Sequence, residues 1–258
     1  MSRVAPRARG MGRCIHWLES TGSTNDVAAR LAESGAEQGT IVVADMQTAG
    51  RGRHGRVWFS PPGAGLYASI IIRPAHPMAG NERPAALLTL AAGVAIAEAV
   101  RGLTGLPAKI KWPNDVVVGP RKLAGILAES AMQGGTLQHI VLGFGVNLRS
   151  AAYPSELTAR TTSIEAETNR PAERGLMLAE IVAALADRCA DLEAGRFDAI
   201  LSAWRQLAAR VPGARVEWDS PHGVVCGRAE DIDRHGALLV RVGEKLERVV
   251  AGEVRWID

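Results

Sequence analysis

The segment that most narrows the possible folds runs from Asp45 to Pro74, DMQTAGRGRHGRVWFSPPGAGLYASIIIRP. Gly50, Gly52 and Gly55 alternate with Arg51, Arg53, His54 and Arg56, and a β-branched run from Leu66 to Ile72 follows. Such a cluster cannot be core: Arg51, Arg53 and Arg56 repel one another, and each would cost several kcal/mol to desolvate. The glycines let the backbone turn tightly and bring its N–H groups close to an anion. The expected arrangement is an open, mobile lid that orders when a phosphate or carboxylate ligand arrives.

The string from Gly50 to Gly55 also satisfies G-x-G-x-x-G, the dinucleotide-binding pattern. That reading needs a preceding strand, a helix directly after and an acidic residue about 20 positions on. Thr40–Ala44 does read as a strand, but Pro61-Pro62 bars the helix and no Asp or Glu lies between Asp45 and Glu82. The dinucleotide reading fails on both counts.

With 258 residues, the chain suffices for one large domain, or for one of about 200 residues with a small companion. A formal charge of +3 is too small to imply a nucleic-acid or membrane partner, so basicity matters where it is concentrated, in the arginine loop. Cys14, Cys189 and Cys226 are odd in number and widely spaced; they are expected to be buried free thiols in a reducing, cytoplasmic compartment. Residues 1–13 lack the apolar segment of a secretory signal and are expected to form a disordered tail. Ala85–Val100 is too short and too interrupted for a membrane span and is expected to belong to a buried core helix, Ala85 to Arg101.

A first strand, Cys14–Glu19, runs into Ser20-Thr21-Gly22-Ser23-Thr24-Asn25, ahead of a helical run from Asp26 to Glu33. One of Ser23, Thr24 and Asn25 would serve as N-cap, and the cluster could equally bind a small polar ligand. Gln47 stands at the mouth of the arginine loop, able to donate and accept; Trp58 at its exit is either a core anchor or a stacking partner for a purine. Lys109 to Ser130 reads as three short strands broken at Pro113-Asn114-Asp115 and Gly119-Pro120. Lys111, Asn114, Asp115 and Lys122 lie within or beside these strands and mark a site. Ile140–Leu148 is a further strand that delivers Asn147. Residues 149–170 read as loop with one helical turn, and helices are expected over Pro171–Gly195 and Phe197–Arg210. Beyond Val211-Pro212-Gly213 the helical period ends, and short strands from Ala214 to Asp258 suggest a small SH3-like barrel.

Four motifs in order, GRGRHGR with W-F-S-P, KWPND, RKLAGIL and GFGVNL, resemble those of the biotin protein ligases, and the resemblance covers nearly the whole chain. It implies an α+β fold: a mixed or antiparallel sheet with helices, like the class II aminoacyl-tRNA synthetases, over residues 14–210. An SH3-like domain over 214–258 would follow. It also implies two steps: biotin and ATP give biotinyl-5′-adenylate and pyrophosphate, and a carrier-protein lysine then takes the biotinyl group.

By that resemblance Lys122 and Arg53 are catalytic. Ser23, Thr24, Asn25, Gln47, Arg51, Gly52, Arg53, Lys122 and Gly125 hold biotin, while Arg53, Arg56, Trp58, Lys111, Asn114, Asp115 and Asn147 hold ATP or the adenylate. Mg²⁺ enters on the ATP phosphates with no dedicated ligand cluster. The implied partner is a biotin carboxyl carrier protein domain, with no DNA and no membrane, for a protein that is a monomer or homodimer. His54 stands where family members often carry arginine, which weakens the loop's charge. Lipoate-protein ligases share the fold, but the GRGRHGR string favours biotin. A DNA-binding module is not expected ahead of Cys14, where 13 residues stand.

Overall fold

The apolar runs pair into a seven-stranded sheet in the computed structural model, which describes residues 7–73, 83–151, 153–220, 223–250 and 254–257. Its strands are β1 (Ile15–Thr21), β2 (Ile41–Gln47), β3 (Gly65–Ile72), β4 (Lys109–Lys111), β5 (Asp115–Val118), β6 (Arg121–Gln133) and β7 (Thr136–Asn147), in the order β1-β2-β3-β7-β6-β5-β4. β1 and β2 run parallel and the other pairs antiparallel, so the sheet is mixed and the fold α+β. The helices are α1 (Thr24–Glu33), α2 (Arg83–Thr104), α3 (Ser155–Thr158), α4 (Ile164–Thr168), α5 (Arg174–Glu193) and α6 (Phe197–Leu207).

β3 is buried along its length because both of its faces are covered, which is why its sequence is apolar without alternation. Leu66, Ala68, Ile70 and Ile72 enter the main core with residues of α2 and α5, whereas Ile71 packs with Ala28 and Ala32 of α1. The apolar α2 is long enough to cross a membrane by length and composition, yet Leu87, Leu90, Val94 and Val100 are buried in the same core. β6 runs past Glu129, the expected end of a strand beginning at Lys122, and β7 begins before the expected Ile140, because Gly134 and Gly135, at φ +57° and +79°, make a two-residue hairpin turn.

Three expectations change. Residues 1–6 of the expected tail lie outside the described residues, but 7–13 are not disordered: Ala8 is buried, and Arg7 and Arg9 pair with Glu180 and Asp187 of α5 at 3.4 and 3.3 Å. Polar anchors to an amphipathic helix carry no periodicity in the tail itself. Residues 149–170 hold two short helices, α3 and α4, where one turn was expected. Of the three thiols only Cys189 is buried, which pushes its pKa up to about 12; Cys14 and Cys226 are exposed.

The C-terminal strands are β8 (Arg215–Ser220), β9 (Gly223–Ile232), β10 (Leu238–Val242), β11 (Lys245–Val249) and β12 (Val254–Ile257), paired antiparallel in the order β11-β10-β9-β8-β12. Val216, Trp218, Ile232, Leu238 and Val240 join the main core. Trp112 Nε1 donates to the Gly236 carbonyl at 2.9 Å, and the Arg205 guanidinium reaches Asp231 at 2.8 Å and the Ile232 carbonyl at 3.1 Å. Residue 236 has to be glycine: its φ is +84°, and an added Cβ would stand 3.0 Å from Leu90 of α2. Trp112→Phe keeps most of the ring but leaves the Gly236 carbonyl unpaired. A loss of about 1–2 kcal/mol is expected in a denaturant titration, and an unchanged midpoint would show that this bond does not join the two sheets.

Candidate active site

One row of mutually paired residues crosses five strands on the sheet face away from α2 and α5: Tyr67, Gly145, Gly125, Asp115 and Lys111. Directly opposed residues share a face, so this row forms a floor with two glycines at its centre and a carboxylate and an amine at one end. The bare positions are needed. A Cβ at Gly145 would come within 2.3 Å of the Trp58 indole nitrogen, and one at Gly125 within 2.9 Å of its ring. Gly143, in the neighbouring row opposite Ser69, lies under Asn25, whose Oδ1 would be 2.0 Å from an added Cβ.

The N-terminus of α1 closes one side. Ser23 occupies the N-cap position with extended backbone and no capping bond from its side chain, so capping does not account for the cluster. Ser23, Thr24 and Asn25 are all buried. Gln47 Oε1 accepts from the Thr24 N–H at 2.8 Å and from its hydroxyl at 3.1 Å, and Gln47 Nε2 donates to Ser60 Oγ at 2.9 Å. Ser69 Oγ lies 2.6 Å from Asn25 Oδ1 and 2.8 Å from Thr24 Oγ1. Sequence reasoning missed Ser69 and Ser60; a hydroxyl at position 69 amid the apolar β3 run was the available signal.

The arginine loop closes the top, and here the expectation of an open segment fails. Arg51 bridges to Val57, residues Arg53–Gly55 form one 3-10 turn, and the Gly52 N–H donates to the Arg56 carbonyl at 2.7 Å. His54 and Gly55 take φ values of +54° and +72°. Neutralising anions come from the protein itself: Arg51 Nη2 lies 2.8 Å from both Asp26 and Glu129. Neither carboxylate was singled out in the sequence, although a charge at 129 inside an apolar strand was visible.

At the far end Lys122 Nζ lies 2.6 Å from Asp115 Oδ1 and 5.2 Å from the centre of the Trp58 ring. Arg53 Nη1 donates to Asn114 Oδ1 at 3.4 Å, and Asn114 Nδ2 donates to the Ile126 carbonyl at 2.9 Å. Burial lowers the pKa of Arg53, opposed by Asp115. Lys111 is likewise lowered, by burial first, with Asp115 opposing and Arg210, Arg160 and Lys122 reinforcing. Asn147 plays an indirect part: its Nδ2 donates to the Thr162 carbonyl at 3.0 Å, and Thr162 in turn pairs through its N–H with the Lys122 carbonyl at 2.9 Å. The Trp58 indole N–H is buried over Gly145 without a hydrogen-bond partner. The loop, the KWPND turn and Lys122 thus converge, Trp58 joining them to the glycine floor.

Comparisons with known proteins place the chain in a family. The biotin/lipoate A/B protein ligase family model matches residues 17–147, and the biotin protein ligase C terminal domain model matches 213–255. The biotin--[acetyl-CoA-carboxylase] ligase of Mycobacterium tuberculosis is 36% identical, over 94% of this chain and 88% of its own. The bifunctional ligase/repressor BirA of Bacillus spizizenii is 31% identical over 98% and 77%. The biotin protein ligase of Aquifex aeolicus in complex with biotin and ATP superposes with a TM-score of 0.80 at 27% identity, covering 95% of this chain and 99% of its own. With both of its sheets matched in this way, the chain belongs to the biotin/lipoate A/B protein ligase family.

Proposed function

We propose that this protein is a biotin protein ligase: it activates biotin with ATP to biotinyl-5′-adenylate and passes the biotinyl group to one lysine of a biotin carboxyl carrier protein domain. The observation that carries this reading is the meeting of Lys122, Asp115, Arg53 and Asn114 at the end of a glycine floor, with a hydrogen-bonding pocket of Thr24, Asn25 and Gln47 beside it. Similarity to ligases named for acetyl-CoA carboxylase supports the same substrate class.

Two anions must meet in the first step. The biotin carboxylate attacks the α-phosphorus, a P–O bond forms, and pyrophosphate leaves with the electron pair of the broken one. Fixed cations that lie closer to the transition state than to either separated anion lower this barrier. Lys122, held by Asp115 and by the Trp58 face, and Arg53, held by Asn114, are placed for that work. Ser23, Thr24, Asn25 and Gln47, with Arg51 and Gly52 overhead and Gly125 beneath, form the biotin side. Arg56, Trp58, Lys111, Asn114 and Asp115 form the nucleotide side, and Asn147 supports the backbone beside Lys122. In the second step the carrier lysine amine attacks the mixed anhydride and AMP departs.

Among the described residues no group of three His, Cys, Asp or Glu side chains could hold a metal ion. Mg²⁺ is assigned to the ATP phosphates, where it would neutralise the leaving pyrophosphate. We assign residues 14–210 to catalysis, as a class II synthetase-like unit, and 214–258 to an SH3-like domain. ATP dependence supports a cytoplasmic setting.

Incubation with ATP, Mg²⁺ and labelled biotin is expected to release pyrophosphate and leave a bound acyl-adenylate that transfers to a carrier domain; neither product forming would refute the reading. Losing a charge-assisted contact of about 1.5–3 kcal/mol slows a step by about 10- to 150-fold. Lys122→Ala is expected to slow pyrophosphate release by that factor, and a wild-type rate would remove Lys122 from the mechanism. Arg53→Gly is expected to slow adenylate formation without abolishing it and to let the intermediate escape the loosened loop, seen as increased labelling of a bystander protein. Labelling no greater than that of the wild type would count against the loop as a barrier.

A further inference from the structure

We propose that Glu129 is a positioning residue that makes the biotin-side pocket and the arginine loop close as one unit; this rests on the reading above and adds a residue to it. A single carboxylate oxygen, Glu129 Oε2, accepts from Asn25 Nδ2 at 2.5 Å and from Arg51 Nη2 at 2.8 Å. Asn25 belongs to the N-terminus of α1 and Arg51 to the loop, whereas Glu129 projects from the rigid β6, two residues along from Leu127, which is paired with Gly143. The sheet thereby holds the N-terminus of α1 and the loop at one atom.

The contact also sets which way the Asn25 amide faces. A carboxylate only accepts, so Nδ2 must point to Glu129, leaving Oδ1 for the Ser69 hydroxyl at 2.6 Å. The second N–H of Nδ2 then remains for a ligand carbonyl. Without Glu129 the amide can turn end for end, and the pocket loses its donor as well as its link to the loop. Asp26 offers a comparison: its Oδ1 meets the same Arg51 nitrogen at 2.8 Å but does not bond the Asn25 side chain. Asp26 therefore holds the loop without orienting the pocket, and Glu129 does both.

Arg51 and Glu129 side chains are 43% and 40% exposed, so salt weakens their attraction. Trypsin cuts after arginine, and cleavage at Arg51, Arg53 and Arg56 in the protein alone reads loop closure with no substrate present. Equilibrium binding of biotin reads the pocket. Glu129→Ala is expected to raise cleavage and the biotin Kd each by about fivefold, and to reduce the increase in cleavage expected of the wild type from about 0.05 to about 0.5 M salt, the remainder coming from the Asp26–Arg51 pair. Glu129→Gln keeps the acceptor without the charge: biotin affinity is expected to return to within about threefold of wild type while the salt response stays as reduced as in Glu129→Ala. Asp26→Asn is expected to raise cleavage and leave the biotin Kd within about twofold.

Wild-type cleavage in Glu129→Ala, wild-type biotin affinity in Glu129→Ala, or an equal loss of affinity in Asp26→Asn would each overturn the proposal. A wild-type protein that does not bind biotin would instead refute the proposed function, and the cleavage experiment would still report on the loop.

Discussion

The site depends on the absence of three β-carbons. Gly125, Gly143 and Gly145 lie in the two longest strands of the sheet, where glycine ordinarily weakens packing and costs backbone entropy on folding. Each is covered by something that a methyl group would displace: Trp58 over Gly125 and Gly145, Asn25 over Gly143. A long antiparallel ladder offsets the local weakness, because β6 and β7 pair from Ala124–Val146 to Gln133–Thr136 with one register shift after Ala131, and β3 supports β7 from the other side. The central strands can be bare on one face since the other is filled by α2 and α5. The thick core behind the sheet is what allows a shallow, reactive surface in front.

On that floor the charges are organised in short pairs rather than one large field. Lys122 is matched by Asp115, Arg51 by Asp26 and Glu129, and Arg53 by the neutral amide of Asn114. These pairs are partly exposed, so each contributes little to stability. Their value lies elsewhere: each cation is held in place without its charge being lost, ready to be shared with an incoming anion. The lowered pKa values of Arg53 and Lys111 express the same situation, as burial makes their charge costly where no carboxylate is close enough to cover it fully. An anionic ligand would relieve that cost, which is the thermodynamic reason to bind one there.

Much of this was legible in the sequence, and the exceptions share a cause. The β-branched run of β3, the apolar α2, the KWPND turn and the C-terminal strands are local patterns, and the structure bears out their element types with ends moved by a few residues. The Arg-Gly loop was identified but read as open, because the sequence displays its charge and hides its counter-charges: Asp26 lies 25 residues earlier and Glu129 lies 78 later. Ser69 was lost in the same way, an isolated hydroxyl in an apolar run whose partners are two side chains on α1. Long-range polar pairing has no period, so it leaves no mark that a window of residues can detect. The row from Tyr67 to Lys111 was equally invisible, since strand register across five strands is decided only when the sheet assembles.

The nucleotide side has one further dependence, on the second sheet. Trp112 immediately precedes Pro113-Asn114-Asp115, and its indole is tied to the Gly236 carbonyl at 2.9 Å, on a turn whose glycine presses against Leu90 of α2. Asp233 fixes that turn by accepting from the His235 and Ala237 N–H groups at 2.7 and 3.0 Å while pairing with Arg248. A chain of bonded groups therefore runs from β11, through the Asp233–Gly236 turn, to Trp112, two residues ahead of Asn114. The C-terminal sheet thus meets the seven-stranded sheet at Trp112, just ahead of the turn that carries Asn114 and Asp115.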